Sequence, residues 1–156
     1  MQIINNLRLI KHSIKVSIFS CVLAIKLKLP IKQCKDIFIA GLLHDIGKIK
    51  LNQKILNKKG KLTANEFEHV KQHVELGVEL LRKYRISEGI CRIVEQHHER
   101  DDGTGYPYGM NADEICIEAK IIRKVDIYDA LTSNRAYRKR YTRRQAIEIM
   151  IKEELI

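Results

Sequence analysis

The 156-residue chain has few of the residues that interrupt regular structure. Two prolines and eight glycines are too few for a collagen-like chain or a turn-rich β-sandwich. No run of 18 apolar residues occurs. The most apolar stretch, 17–29, is broken by Lys26 and Lys28, which excludes a transmembrane span and predicts no membrane insertion. The opening residues lack the basic-then-apolar layout of a signal peptide. The four cysteines (Cys21, Cys34, Cys91 and Cys116) form no CxxC pair, so buried free thiols in a reducing cytoplasm are expected rather than a disulfide or zinc framework. Tryptophan is absent, and Phe plus Tyr make up 6% of the chain. The basic segments therefore lack the interleaved aromatics that stack bases, which argues against a DNA or RNA partner. Acidic residues are scarce in the first 60 positions, which hold 12 Lys+Arg against 2 acids. The next 60 carry a net −4 and the remainder a net +4, giving +10 overall. Such a balance suits an anionic partner or a solvated lysine face.

What is present points to helices. Apolar residues make up 45% and charged residues 31%, ordinary globular values that exclude wholesale disorder. The length suits one domain spanning 1–156, and a chain of this size buries roughly 70% of its unfolded surface. Ile3, Leu7, Ile10, Ile14, Ile18, Cys21 and Ile25 recur at helical spacing and predict a helix over 3–29, with Pro30 beyond its end. A second helix is expected over 31–44, then an irregular connection over 46–61. Thr63 and Glu66 form a capping box opening a helix to about 82, Ser87 caps one to 97 or 98, and 100–113 reads as a Gly-rich loop. A further helix is expected over 114–132, and a Thr142–Gln145 box opens the last. The expectation is an all-α fold, a compact bundle of about six helices.

On four of these helices a chemically costly residue stands where an apolar one is expected. His44, His73, His97 and Asp126 each continue an apolar stripe. A lone core histidine is ordinary, but a carboxylate in a bundle core needs a cation or donors. A shared metal would explain all four. Mixed imidazole and carboxylate ligands suit iron, manganese or zinc rather than calcium. Six or seven such ligands suggest two ions, a recurring device for phosphoester hydrolysis.

Longer motifs add to this. Residues 42–48 read LLHDIGK, 97–100 read HHER, 102–107 read DGTGYP and 125–138 read VDIYDALTSNRAYR. In this order they resemble the HD-GYP branch of the HD-domain phosphohydrolases, from about His12 to Met150. The resemblance implies an HD-domain fold and a metal-dependent phosphodiesterase that hydrolyses the bacterial second messenger cyclic di-GMP to pGpG or GMP by a metal-bridging hydroxide. It implies His12, His44, Asp45, His73, His97, His98 and Asp126 as ligands to two divalent ions, iron or manganese foremost, with zinc, nickel or cobalt as substitutes. Asp45 would bridge them. Lys48 would sit beside the scissile phosphate, and Tyr106, Arg135 and Arg138 would contact substrate. Asp102, Gly103, Gly105, Tyr106 and Pro107 would shape the loop, with Arg100 and Asp129 in support. The implied setting is the bacterial cytoplasm, with signalling proteins or a second copy of the chain as further partners.

Three positions depart from the family pattern. Asp101 stands where an aromatic is usual, Met110 replaces a common leucine, and Arg8 stands where some members carry a metal-binding glutamate, which favours two metals over three. His69 matches no motif and is expected on the surface. The rival readings are a binding or adaptor module with weak catalysis, or an HD hydrolase acting on another nucleotide phosphoester.

Overall fold

A computed structural model describes residues 2–133 and 140–152, and it is helical throughout its regular structure. The order is α1 (Gln2–Lys26), α2 (Ile31–Leu43), a 3-10 turn (Ile46–Lys50), α3 (Gln53–Leu56), α4 (Ala64–Lys71), α5 (His73–Lys83), α6 (Glu88–Gln96), α7 (Ile117–Thr132) and α8 (Arg143–Lys152). The all-α expectation holds, with eight α-helices among the described residues in place of about six.

Two differences have clear causes. The helix expected over 63–82 is split at Gln72 into α4 and α5. The connection over 46–61 contains the 3-10 turn and the one-turn α3, whose Asn52 side chain accepts from the Lys54 amide. His69 ties this connection down: its Nε2 accepts the Asn52 backbone N–H at 3.1 Å, so it is half-buried and engaged rather than a bare surface residue. The capping boxes form as expected, Thr63 with Glu66 and Thr142 with Gln145. Ser87 takes the N-cap position of α6, but its hydroxyl makes no capping bond.

The long first helix forms, yet its apolar stripe does not enter the core. Leu7, Ile10, Ile14, Ile18 and Ile25 are exposed, Ile10 at 54% and Ile18 at 46%. The buried face is Ser13, Val16, Ser17, Ser20 and Ala24. Small residues let α1 lie close against α2 and α7, and Ser17 donates its hydroxyl to the Phe38 carbonyl at 2.7 Å. Behind α1, Ile37, Ala40, Val78, Val94, Ala119 and Ile122 form the central core. The cysteines are free as expected; Cys34 and Cys91 are buried, whereas Cys21 and Cys116 are half-buried.

The 3-10 turn packs on α5 through Gly47. A Cβ there would overlap the His73 carbonyl and crowd the Gly77 amide. That approach sets the segment carrying Asp45 and Lys48 against the helix carrying His73. Among the described residues no helix is long and apolar enough to cross a membrane.

Candidate metal centre

The side chains of His12, His44, Asp45, His73, His97, His98 and Asp126 converge from α1, the end of α2, the start of α5, the end of α6 and α7. They form two groups: Asp45, His73, His97 and His98, and His12, His44 and Asp126, with ligand atoms in each lying within 4.8 Å of one another. Asp45 reaches both. Its Oδ1 lies 3.5 Å from His73 Nε2, and its Oδ2 lies 3.4 Å from His44 Nε2 and 3.8 Å from His12 Nε2.

Three of the histidines are built in one way. His44, His73 and His97 each bond through Nδ1 to the carbonyl three residues upstream: Gly41 at 2.8 Å, Val70 at 2.7 Å and Val94 at 2.6 Å. Those carbonyls lie in the last turns of α2, α4 and α6, where backbone acceptors have no helical partner of their own. An imidazole that donates from Nδ1 keeps its Nε2 lone pair free, the arrangement of a metal-ligating histidine. His44 and His97 stand at the C-caps of α2 and α6, at the helix ends where they were expected, whereas His73, expected inside one continuous helix over 63–82, opens α5.

Four buried side-chain atoms of the site lack a hydrogen-bond partner: His44 Nε2, His73 Nε2, His97 Nε2 and Asp45 Oδ1. Unpaired buried polar atoms are costly and rare. Here all four belong to the two adjoining groups of imidazole nitrogens and carboxylate oxygens, a donor set suited to iron, manganese or zinc. These residues fit bound metal.

The electrostatics agree. Burial pushes His98 down to about 3, with His73 adding to the effect. Burial also drives His97 well below its ordinary value and lowers His73. These rings are neutral, as ligands must be. Burial alone would raise Asp45, but the Lys48 ammonium beside it holds it well below the usual carboxylate range. Lys48 lies on the 3-10 turn rather than on a continuing α-helix, and its Nζ pairs with Asp45 Oδ2 at 2.6 Å. His12 behaves differently. Burial lowers it, yet Asp126 at 3.1 Å and Asp129 at 2.7 Å raise it to about 9. Asp126 is in turn held at about 2, its burial outweighed by His12. Asp129 accepts from His12 Nδ1 at 2.7 Å, and Lys15 Nζ lies 3.3 Å from its other oxygen.

The Gly-rich loop closes one wall. Arg100 forks onto Asp102 at 2.8 and 3.1 Å, and Asp102 also accepts the Thr104 amide and hydroxyl. Gly105 passes so close to the backbone of Glu99 and Arg100 that a Cβ would overlap it. Tyr106 stacks on His98, ring centroids 4.6 Å apart, and burial raises its hydroxyl above the ordinary phenol value. Asp101, the departure from the family pattern, pairs with Lys120 at 2.9 Å, so a loop-to-α7 ion pair stands where an aromatic is usual. Arg135 and Arg138 lie outside the described residues.

Sequence reading missed Glu99. Its side chain is fully buried and accepts the Tyr108 and Met110 amides at 2.7 and 2.9 Å, which holds the far half of the loop. The available signal was an acid directly after two histidines and before a glycine-rich loop. Gln96 is similar: buried, it accepts the Cys116 amide at 2.8 Å and fixes the start of α7.

A helical bundle with a buried histidine–aspartate cluster at converging helix ends defines a metal-binding all-α domain. The HD domain family model matches residues 1–155, and the chain belongs to that family. A cyclic di-GMP phosphodiesterase of Pseudomonas aeruginosa is 41% identical over 89% of the chain and 34% of its own length. A 3'3'-cGAMP-specific phosphodiesterase of Vibrio cholerae is 38% identical over 89% of the chain and 30% of its length. The chain thus spans about a third of these curated relatives. Among solved structures, Bd1817, an HDG"Y"P protein from Bdellovibrio bacteriovorus, superposes with a TM-score of 0.74 at 22% identity, covering 94% of this chain and 47% of that one.

Proposed function

We propose that this single domain is the catalytic module of a bacterial cytoplasmic phosphodiesterase that hydrolyses cyclic di-GMP to pGpG or GMP. The observation that carries the reading is the set of four unpaired buried ligand atoms converging beside Lys48 and the Gly-rich loop. The names of the relatives supply the substrate class.

Two divalent ions, iron or manganese, would be held by the two ligand groups, with Asp45 shared between them. When bound, they supply Lewis acidity toward a phosphate oxygen and acidify a water for attack. The chain's own residues do the rest. The Nδ1–carbonyl bonds fix the three imidazoles, and Asp129 fixes His12. Lys48, which pairs with Asp45 at 2.6 Å, would share its charge with a phosphoryl oxygen as negative charge develops there. Tyr106 borders the pocket, and Arg135 and Arg138 remain substrate contacts proposed from sequence alone.

The test is turnover of cyclic di-GMP by pure protein loaded anaerobically with Fe²⁺ or Mn²⁺, with product identification. The expected result is release of pGpG or GMP, near-complete loss in His44→Ala together with lost metal content, and a large loss in Lys48→Ala. Neutralising two or three of the other lysines in residues 1–60 should leave turnover almost unchanged. Folded, metallated protein that turns over no cyclic di-GMP with either metal refutes the proposal.

A further inference from the structure

The mouth of the ligand cluster carries side chains that no metal needs. Phe67, on α4, meets Tyr106 edge to face, with ring centroids 6.2 Å apart and planes at 82°. Lys71, one helical turn further on, places Nζ 5.1 Å from the Phe67 centroid and 5.5 Å from that of Tyr106. Tyr106 in turn lies face to face with His98. One face of the tyrosine is thereby occupied, whereas Phe67 is 44% exposed. The helix break at Gln72 sets this stretch of α4 apart from α5, which bears His73. Neither Phe67 nor Lys71 belongs to a ligand group.

An exposed aromatic ring beside an ammonium, at the rim of a phosphodiester site, has the chemistry of a nucleobase subsite. Every base has a π-face to lay on an aromatic ring. The ammonium selects among bases. Guanine presents two acceptors, O6 and N7, on one edge, whereas adenine presents an amino donor at the position of O6. Lys has only donors, so it rewards guanine and leaves the adenine amino group unpaired. The ion pair to Glu68 at 2.8 Å does not prevent this, because an ammonium carries three donors.

We propose that Phe67 and Lys71 form a guanine subsite outside the metal centre, Phe67 stacking the base and Lys71 reading its O6/N7 edge. The inference rests on the cyclic dinucleotide reading and adds two residues and a base preference to it. It is tested by measuring kcat and KM for cyclic di-GMP, cyclic di-AMP and the base-free diester bis(4-nitrophenyl) phosphate in the metal-loaded wild type and in Phe67→Ala, Phe67→Tyr and Lys71→Met. Phe67→Ala should lower kcat/KM for cyclic di-GMP by about 5- to 150-fold, the worth of one base–aromatic stack, chiefly through KM. Hydrolysis of the base-free diester should stay within about twofold, and Phe67→Tyr should restore the dinucleotide activity. Lys71→Met, which keeps the aliphatic stem, should narrow the preference for cyclic di-GMP over cyclic di-AMP by about tenfold. Equal losses on the dinucleotides and the base-free diester would mark the cluster as a structural strut and overturn the inference, as would no change on any substrate. A wild type that hydrolyses the base-free diester but neither dinucleotide refutes the underlying substrate reading, a separate outcome.

Discussion

Replacing Glu99 tests whether one buried carboxylate holds the loop beside the metal centre. It accepts two backbone amides, Tyr108 at 2.7 Å and Met110 at 2.9 Å, from a nearly inaccessible position. Hydrogen bonds to a charged acceptor contribute about 1.5–3 kcal/mol each. Glu99→Ala removes both, so the loop loses about 3 kcal/mol or more of its resistance to opening. Glu99→Gln keeps one carbonyl acceptor but turns an NH₂ group toward the other amide, so it loses roughly half as much. The readout is amide hydrogen exchange at Tyr108 and Met110 in metal-free protein. Since about 1.4 kcal/mol is a factor of ten, exchange there should quicken by roughly a hundredfold in the alanine variant and roughly tenfold in the glutamine variant. Amides of α8, which packs on α7 rather than on the loop, should keep their protection. Unchanged exchange at Tyr108 and Met110, or an equal rise everywhere, would refute the assignment.

His12 sets a pH dependence that can be read without substrate. Its folded-state pKa of about 9 lies above the ordinary 6.5, so in metal-free protein its contribution to stability is fully present below pH 6.5 and is lost as pH rises through about 9. The same proton competes with metal, so Mn²⁺ affinity measured by calorimetry should strengthen from pH 6.5 to 9 and flatten in His12→Gln; a pH-independent wild-type affinity would contradict this. Gly47→Ala inserts a methyl into the backbone of α5 and should lower the melting temperature by many degrees, with metal content falling in parallel; an unchanged melting curve would show that the 3-10 turn can move off α5 at little cost.

Sequence periodicity located the helices better than their faces. On α1 the strong stripe from Leu7 to Ile25 lies largely exposed, because the buried side is Val16 with Ser13, Ser17, Ser20 and Ala24, mostly residues too small or polar to register as a core pattern. Their value is close approach, which depends on the partner helices and not on α1 itself. His44, His73, His97 and Asp126 were legible because each interrupts an apolar helix stripe, whereas His12, Asp45 and His98 entered only through the resemblance carried by the HD, HHER and GYP motifs. The split at Gln72 was not legible. No glycine or proline marks it, and both halves carry helix-forming residues. Glu99 and Gln96 were hidden for a related reason: an acid or amide in a polar run shows nothing until the backbone amides it serves are brought to it from 9 to 20 positions away.

The break at Gln72 and the positions of the histidines follow from one requirement. A neutral imidazole offered to a metal needs a partner for its other nitrogen, and inside a bundle the nearest acceptors are backbone carbonyls. In an uninterrupted helix the Val70 carbonyl would be engaged by the Val74 amide. Ending α4 at Lys71 and restarting at His73 brings that carbonyl to the imidazole instead. Gly41 and Val94 serve His44 and His97 in the same way at the ends of α2 and α6. Helix termini satisfy two demands at once: carbonyls without the amide of a continuing helix gain an imidazole donor, at Val70 beside the Gln72 amide, and the imidazoles gain a fixed tautomer and direction. The metal centre therefore lies where helices stop, and an irregularity that looks like a defect in α4–α5 is what aims His73 at Asp45.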